Sequence, residues 1–286
     1  MARRRRYELT DEQFERIEEA LPEVDGRGRP YEDHRKVVNG IFWVLRSGAP
    51  WRDLPERYGS WKTVYDRFRR WAEDGTLQSV ARKLQGELDA EGHIDWEQFN
   101  VDSTTIRASR SAAGGPTDDK KGDRPTREDE DVSPALGYGR GGFSTKIHLV
   151  TDGNGLPMAA VLTAGQRHEA PFFTDVMDHV RVPRPTGRPK KRPEAVAGDR
   201  AYDSKENRKW CWKKNIESVI PARNGMHTGP GRPPTCDEQK YEQRNVVERL
   251  VGRLKERRRI ATRYEKKASH YKAMLQWAFI GEYLKR

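Results

Sequence analysis

The stretch YEQRNVVERLVGRLKERRRI, residues 241–260, is densely charged yet carries a regular apolar stripe. At about 100° per residue from Tyr241, a helical wheel puts Arg244 at roughly 300°, Glu248 at roughly 340° and Lys255 at roughly 320°. Val246, Val247, Leu250, Val251 and Leu254 fill an adjoining apolar face suited to packing on a sheet. Asn245, Arg249, Gly252 and Glu256 take the remaining arc, toward water. An ordinary surface helix has two sectors. This one has three, and the middle sector holds a single carboxylate among cations, so the spacing predicts the wall of a site with Glu248 as its acid. The run ERRRI beyond Lys255 reads equally as ligand contact or as solvated surface.

Two further carboxylates sit in strand-like segments. Asp102 interrupts the apolar alternation of QFNVDSTTI, and Asp199 stands where AVAGD ceases to be apolar. An aspartate at the end of a buried strand lies where open α/β sheets place their chemistry. Either residue alone reads as well as a simple turn cap. Carboxylates converging from two strands and a helix, however, supply the hard oxygen ligands that Mg²⁺ requires. Two such ions suit phosphodiester cleavage or transfer.

The surrounding segments predict a mixed sheet covered by helices. GFSTKIHLVTD and PMAAVLTAG are strands joined through GNGL as a hairpin, a helix runs from about Ser204 to Lys214, and ESVIPAR is a further strand. Residues 93–286 form this α/β domain, with a Gly, Pro and charge-rich flexible loop over 109–141. Residues 1–92 read as an all-helical domain. Its first helix is capped by Thr10 with Gln13, and its second runs through Val37, Ile41 and Leu45. WRDLPERYGSWKTVYDRFRRWAEDG then reads as a short helix, a turn at Gly59 and a longer helix capped by Ser60. Trp61, Val64, Tyr65, Phe68, Trp71 and Ala72 share one face of the longer helix and leave Lys62, Thr63, Arg67, Arg69 and Arg70 on the other. That is a helix-turn-helix pattern with a basic second helix for a major groove, against the alternative of a small bundle with a basic surface.

Composition points the same way. The 286 residues carry a formal net charge of +11, with 34% hydrophobic and 35% charged residues, which favours a polyanionic partner. No run of eighteen apolar residues exists and MARRRRYELTDEQ lacks an apolar signal core, so a cytoplasmic chain without a membrane is expected. Cys211 and Cys236 lack zinc or disulfide spacing. The acidic run EDED, residues 128–131, reads as solvated charge. Trp210 and Trp212 of KWCWKK suit either base stacking or packing.

Tyr241, Arg244, Glu248 and Lys255 reproduce the Y-(2)-R-(3)-E-(6)-K spacing of bacterial insertion-sequence transposases of the DDE type, in the insertion-sequence-four and insertion-sequence-five families. VDSTTIRA, GGFSTKIHL, LTAGQRHEA and GDRAYDS are similar to the family's other blocks, in order, and the helical region resembles that of the insertion-sequence-five group. The resemblance implies a ribonuclease H-like core in which Asp102, Asp199 and Glu248 hold two Mg²⁺ ions, with Mn²⁺ as a substitute. It implies that Tyr241, Arg244 and Lys255 contact DNA phosphates, with Lys146 and His168 as candidates for a supporting role, His168 as a hydrogen-bonded structural residue. Double-stranded DNA would be the partner, as terminal inverted repeats and target, bound by a homodimer or larger assembly. Asp199 and Glu248 stand too close in sequence for the large β insertion that some relatives carry there. A metal-dependent endonuclease without strand transfer and a non-cleaving DNA-binding regulator are the alternatives.

Overall fold

Thr10 opens the first helix. Its hydroxyl accepts from the Gln13 N–H and the Gln13 side chain accepts from the Thr10 N–H, both at 3.1 Å, the reciprocal cap expected from the sequence. The computed structural model describes residues 6–22, 33–117, 134–223 and 234–286. After α1 (Asp11–Glu18), α2 (His34–Ser47) starts at Asp33, whose carboxylate accepts the Arg35 N–H, and stops at Gly48 with φ at 71°. The short helix expected next is instead two 3₁₀ turns, Trp51–Asp53 and Glu56–Tyr58. Pro55 lies in the middle of WRDLPERY, and a proline there removes an N–H and forbids one continuous helix. Gly59 makes the turn with φ at 86°, and α3 (Trp61–Glu73) follows, although Ser60 makes no side-chain cap bond. Helix α4 (Thr76–Ala90) completes the helical region.

The sheet is built around β1 (Gln98–Ala108). After the single turn of α5 (Arg110–Ala113), strands β2 (Gly137–Gly139), β3 (Gly142–Thr151) and β4 (Pro157–Ala164) follow, with β3 antiparallel to β1, β2 and β4. Helix α6 (Phe173–Asp178) leads to β5 (Ala195–Gly198), which lies parallel to β1, and α7 (Lys205–Lys214) leads to β6 (Glu217–Val219), parallel to β5. An antiparallel meander continued by parallel strands in the order β4, β3, β1, β5, β6 is the ribonuclease H-like arrangement expected. The remaining elements are α8 (Glu238–Glu242), α9 (Asn245–Lys255), α10 (Arg258–Ala261), the two-residue β7 (Thr262–Arg263) beside the end of β1, and α11 (Ala268–Tyr283).

The hairpin turn after β3 is organised by Asp152, which accepts the Leu156 N–H at 2.7 Å and the Asp95 N–H at 3.0 Å. The described flanks of the expected 109–141 loop are ordered. Ala135 and Leu136 are buried ahead of β2, because the fully buried Arg263 donates to the Pro134 and Ala135 carbonyls and to the Thr145 hydroxyl. A buried guanidinium with acceptors on several sides fixes the segment that supplies them. The EDED run lies outside the described residues.

Helix α11 joins the two regions. It packs against α2, α3 and α4 on one side and β4 and α10 on the other. Trp277 meets Phe42 at 5.5 Å and Trp71 at 6.0 Å between ring centres, and the Gln85 amide donates to the Met158 carbonyl and the Tyr283 hydroxyl. The helical region and the sheet therefore share one apolar core. No helix among the described residues is long and apolar enough to cross a membrane.

Candidate active site

Strand register brings the two aspartates together. Val101 of β1 is the Cα partner of Gly198 in the parallel β5, so the next residue on each chain, Asp102 and Asp199, emerges at the same edge. Asp102 accepts the Ser103 N–H at 2.9 Å. Asp199 accepts the Ala201 N–H at 2.9 Å, capping the 3₁₀ turn Arg200–Tyr202 that bends the chain away from the sheet. Burial raises the Asp102 carboxyl above its ordinary pKa, only partly opposed by the Ser103 N–H and Arg244, while Asp199 and Glu248 push the same way as burial.

Helix α9 lies across β1 and β3 on Val246, Val247, Leu250 and Leu254, leaving Asn245, Arg249, Gly252 and Glu256 exposed as the wheel predicts. Arg244 links the carboxylates: one guanidinium nitrogen is 2.7 Å from Glu248 Oε1 and the other 3.7 Å from Asp102 Oδ2. Tyr241 lies 5.9 Å from the Arg244 guanidinium and packs against the cluster of Ala195, Ala197 and Val219. The helix is not continuous, however. Gln243 and Arg244 form a turn between α8 and α9, with i to i+3 bonds from the Arg244 N–H to Tyr241 and from the Val247 N–H to Arg244. Such bonds advance the chain by about 120° per residue rather than about 100°, so Tyr241 is rotated relative to the wheel. Lys255 is exposed at the other end of α9.

A polar network backs Asp102. The buried Lys146 of β3 donates to Glu169 and, at 2.6 Å, to the Arg167 carbonyl, and the Ser103 hydroxyl donates to the same Glu169 oxygen at 3.2 Å. Burial would raise the Glu169 carboxyl, but Lys146 brings it below its usual value. His148, the strand partner of Ser103, is buried, bonded to Thr163 at 2.9 Å and tilted against Phe172 at 4.8 Å between ring centres; burial drives its pKa down to about 3, so the ring is neutral. Tyr202 is wholly buried beside this cluster, and burial together with Asp102, Asp199 and Glu169 keeps its phenol protonated. Sequence reading reached Lys146 but not Ser103, His148 or Tyr202; the one signal for them was their place within or beside the strands that carry the aspartates. His168, expected to be hydrogen-bonded structure, is exposed, and Glu169 beside it makes the bonds.

Among the described residues, no three His, Cys, Asp or Glu side chains stand close enough together to hold a metal ion as they are placed. Arg244 supplies the positive charge between Asp102 and Glu248. All three candidate ligands are carboxylates, the donor type for hard divalent cations. The Glu248 side chain is 58% exposed and bonded to Arg244.

On α3, Lys62, Arg69 and Arg70 are exposed and Thr63 is partly so. Arg67 departs from the expected basic face: it is buried, donates to His34 Nδ1 at 3.0 Å and covers Trp71 at 5.6 Å. It lies one turn from both Val64 and Trp71, on the apolar flank of the helix. The ERRRI run is mostly structural as well. Arg257 and Arg259 are buried and paired with Glu282 and Glu265, while Arg258 faces water. Trp210 packs 5.7 Å from Phe173, and Trp212 is 80% exposed.

The sequence profile described as "Transposase DDE domain" matches residues 97–280, and that described as "Putative transposase of IS4/5 family" matches residues 9–81. The chain belongs to the DDE-domain transposases, in the IS4/5 group. It is 39% identical over 107 residues to protein y4sN of Sinorhizobium fredii, which carries the description "Uncharacterized"; that match covers 37% of this chain and 81% of the relative. It is 36% identical over 134 residues to a protein of Burkholderia cepacia described as "Putative transposase for insertion sequence element IS402", covering 46% of this chain and 59% of that protein. Among solved structures, the piggyBac transposase synaptic complex with hairpin DNA aligns at a TM-score of 0.48 and 11% identity, covering 95% of this chain and 71% of that one.

Proposed function

We propose that this transposase binds the terminal inverted repeats of an insertion sequence, cuts a strand at each end and joins the freed ends to target DNA. Asp102, Asp199 and Glu248 would hold two Mg²⁺ ions, with Mn²⁺ as a substitute. The observation that carries this reading is the pairing of Val101 with Gly198, which sets Asp102 beside Asp199, with Arg244 reaching both Asp102 and Glu248.

The divalent ions would supply Lewis acidity to the phosphodiester and favour the deprotonated attacking oxygen. In the first step a water oxygen bonds to phosphorus and the P–O3′ bond breaks, leaving a 3′-OH on the element. In the second, that 3′ oxygen bonds to a target phosphorus, and the target's own 3′ oxygen leaves and takes a proton. Arg244 faces the non-bridging oxygens, where negative charge develops, and Tyr241 packs beneath its guanidinium and keeps it aimed. Lys255 contacts a neighbouring phosphate. Lys146, Glu169 and Ser103 hold the Asp102 segment of β1 still, a positioning role rather than a chemical one.

Residues 1–92 serve as the end-binding unit, with Lys62, Thr63, Arg69 and Arg70 toward the DNA, and residues 93–286 as the catalytic unit. A homodimer would pair the two ends. The test is Glu248→Gln with cognate ends, Mg²⁺ and a plasmid target. End cleavage is expected to vanish while footprinting of the ends persists. Retained cleavage would remove Glu248 from the metal set, and wild-type cleavage without joined products would reduce the chain to an endonuclease.

A further inference from the structure

Between the helical region and the corner after β7 lies a cleft of about 580 Å³. Its volume falls in the range of roughly 300–1,000 Å³ typical of pockets for small ligands. Its walls are aromatic: Trp51, Trp61 and Tyr65 from the helical region, and Tyr264 from the catalytic region. These rings are held firmly, Trp51 against Tyr65 at 5.4 Å and against Phe68 at 5.1 Å, and Tyr264 under the Arg259 guanidinium at 4.9 Å.

The mouth is cationic. Arg52, Lys266 and Lys267 are exposed there, with the Arg52 guanidinium 5.6 Å from the Trp61 ring. The carboxylate that lines the cleft, Glu265, is already engaged by Arg259 at 2.6 Å, so the mouth keeps its positive charge. His270 also lines it. This residue is 8% exposed, and its Nε2 has no hydrogen-bond partner, the Glu73 carboxylate lying 3.8 Å away. A buried imidazole nitrogen that makes no hydrogen bond, with only the Glu73 carboxylate 3.8 Å away, leaves room inside an aromatic cleft for a ligand's polar edge.

Aromatic walls, a buried imidazole nitrogen and a cationic rim match a nucleobase with its backbone phosphates. We propose that this cleft takes one unpaired nucleotide of the bound DNA, its base on the aromatic walls, its edge toward His270 Nε2 and its phosphates at Arg52, Lys266 and Lys267. The inference rests on the reading of the chain as a DNA-binding transposase. The cleft adjoins the Ala108 end of β1, about 20 Å from Asp102 at ~3.3 Å per strand residue. The unpaired position is therefore several nucleotides from the cut rather than at it.

The test walks 5-iodouracil along a cognate-end duplex bound to the full chain without divalent metal, irradiates, and maps the cross-linked peptides. One register is expected to cross-link to Trp51, Trp61, Tyr65 or Tyr264. A mismatch at that register should tighten wild-type binding by about tenfold or more, because the unpairing cost disappears. Tyr264→Leu, and separately the double change Lys266→Glu with Lys267→Glu, should lose that gain while the end footprint remains. An intact footprint whose cross-links all map elsewhere, for example to Trp212, overturns the pocket. The same holds if no register gains from a mismatch, or if only the peptide partner of another protein competes for the cleft. Absence of any footprint overturns the DNA reading itself.

Discussion

Arg244 is the residue that ties the candidate carboxylates together. Its guanidinium is bonded to Glu248 at 2.7 Å and stands 3.7 Å from Asp102, so the charge that opposes three carboxylates comes from the chain itself. A divalent cation bound as proposed would displace one of those contacts, whereas an incoming phosphate would gain one. Arg244→Ala should therefore bind Mn²⁺ alone at least as tightly as wild type, read by calorimetry, while end cleavage falls by about 10²–10³, the usual loss for one charge-stabilising donor. A parallel loss of Mn²⁺ affinity would reduce Arg244 to a structural role. Arg67 carries the opposite lesson. Residue type suggested a DNA contact, but position on the helix put it beside Val64 and Trp71, where it bonds His34. Arg69→Ala and Arg70→Ala should each lower the salt slope of end binding by about one. Arg67→Ala should leave that slope unchanged and lower the melting temperature instead.

At the scale of elements, whatever repeats along the chain was legible and whatever departs from the repeat was not. Strand β4 is a mostly apolar run, β1 carries apolar residues at Phe99 and Val101 before Asp102, β3 carries them at Ile147, Leu149 and Val150, and α9 keeps a strict stripe, so these elements and the direction of Glu248 followed from spacing. The turn at Gln243 and Arg244 was invisible, because 3₁₀ and α geometries differ by only about 20° per residue over a few positions. The two 3₁₀ turns before α3 follow from Pro55, a signal present in the sequence and outweighed there by the helix-turn-helix pattern. Gly48 is a boundary with two reasons to be glycine: φ at 71°, and a would-be Cβ 2.8 Å from the Arg258 Cβ. It sets α2 against α10, which follows α9. Gly48→Ala should destabilise the fold by about 1–2 kcal/mol through the left-handed backbone alone, and by more through the clash, measured as a shift in denaturant midpoint. An unchanged midpoint would mean that α2 and α10 separate without cost.

At the scale of the whole molecule, the shared core is the feature that spacing could not reveal. Helix α11 is apolar on nearly every side, burying eleven residues from His270 to Tyr283, so it has no polar face to mark its orientation. Its one buried acid, Glu282, takes Arg257 and Arg253 at 2.5 and 2.9 Å and so ties α11 to the end of α9, while its aromatic face carries the helical region. Burial alone would raise the Glu282 carboxyl, but Arg257 and Lys285 draw it down to about 2 from an ordinary 4.5. A folded-state value below the unfolded one means that the pairing stabilises the protein fully above the unfolded value. That stability is lost as pH falls from about 4.5 toward 2. Glu282→Gln leaves Arg257 buried beside a neutral amide, a change that typically costs about 3–5 kcal/mol. The expected outcome is a lower melting temperature at neutral pH and a smaller loss of stability than wild type between pH 4.5 and 3, with end binding and cleavage failing together on warming because both depend on α11. If binding instead survives at temperatures where cleavage is lost, the helical region holds its fold without the shared core, and α11 belongs to the catalytic region alone.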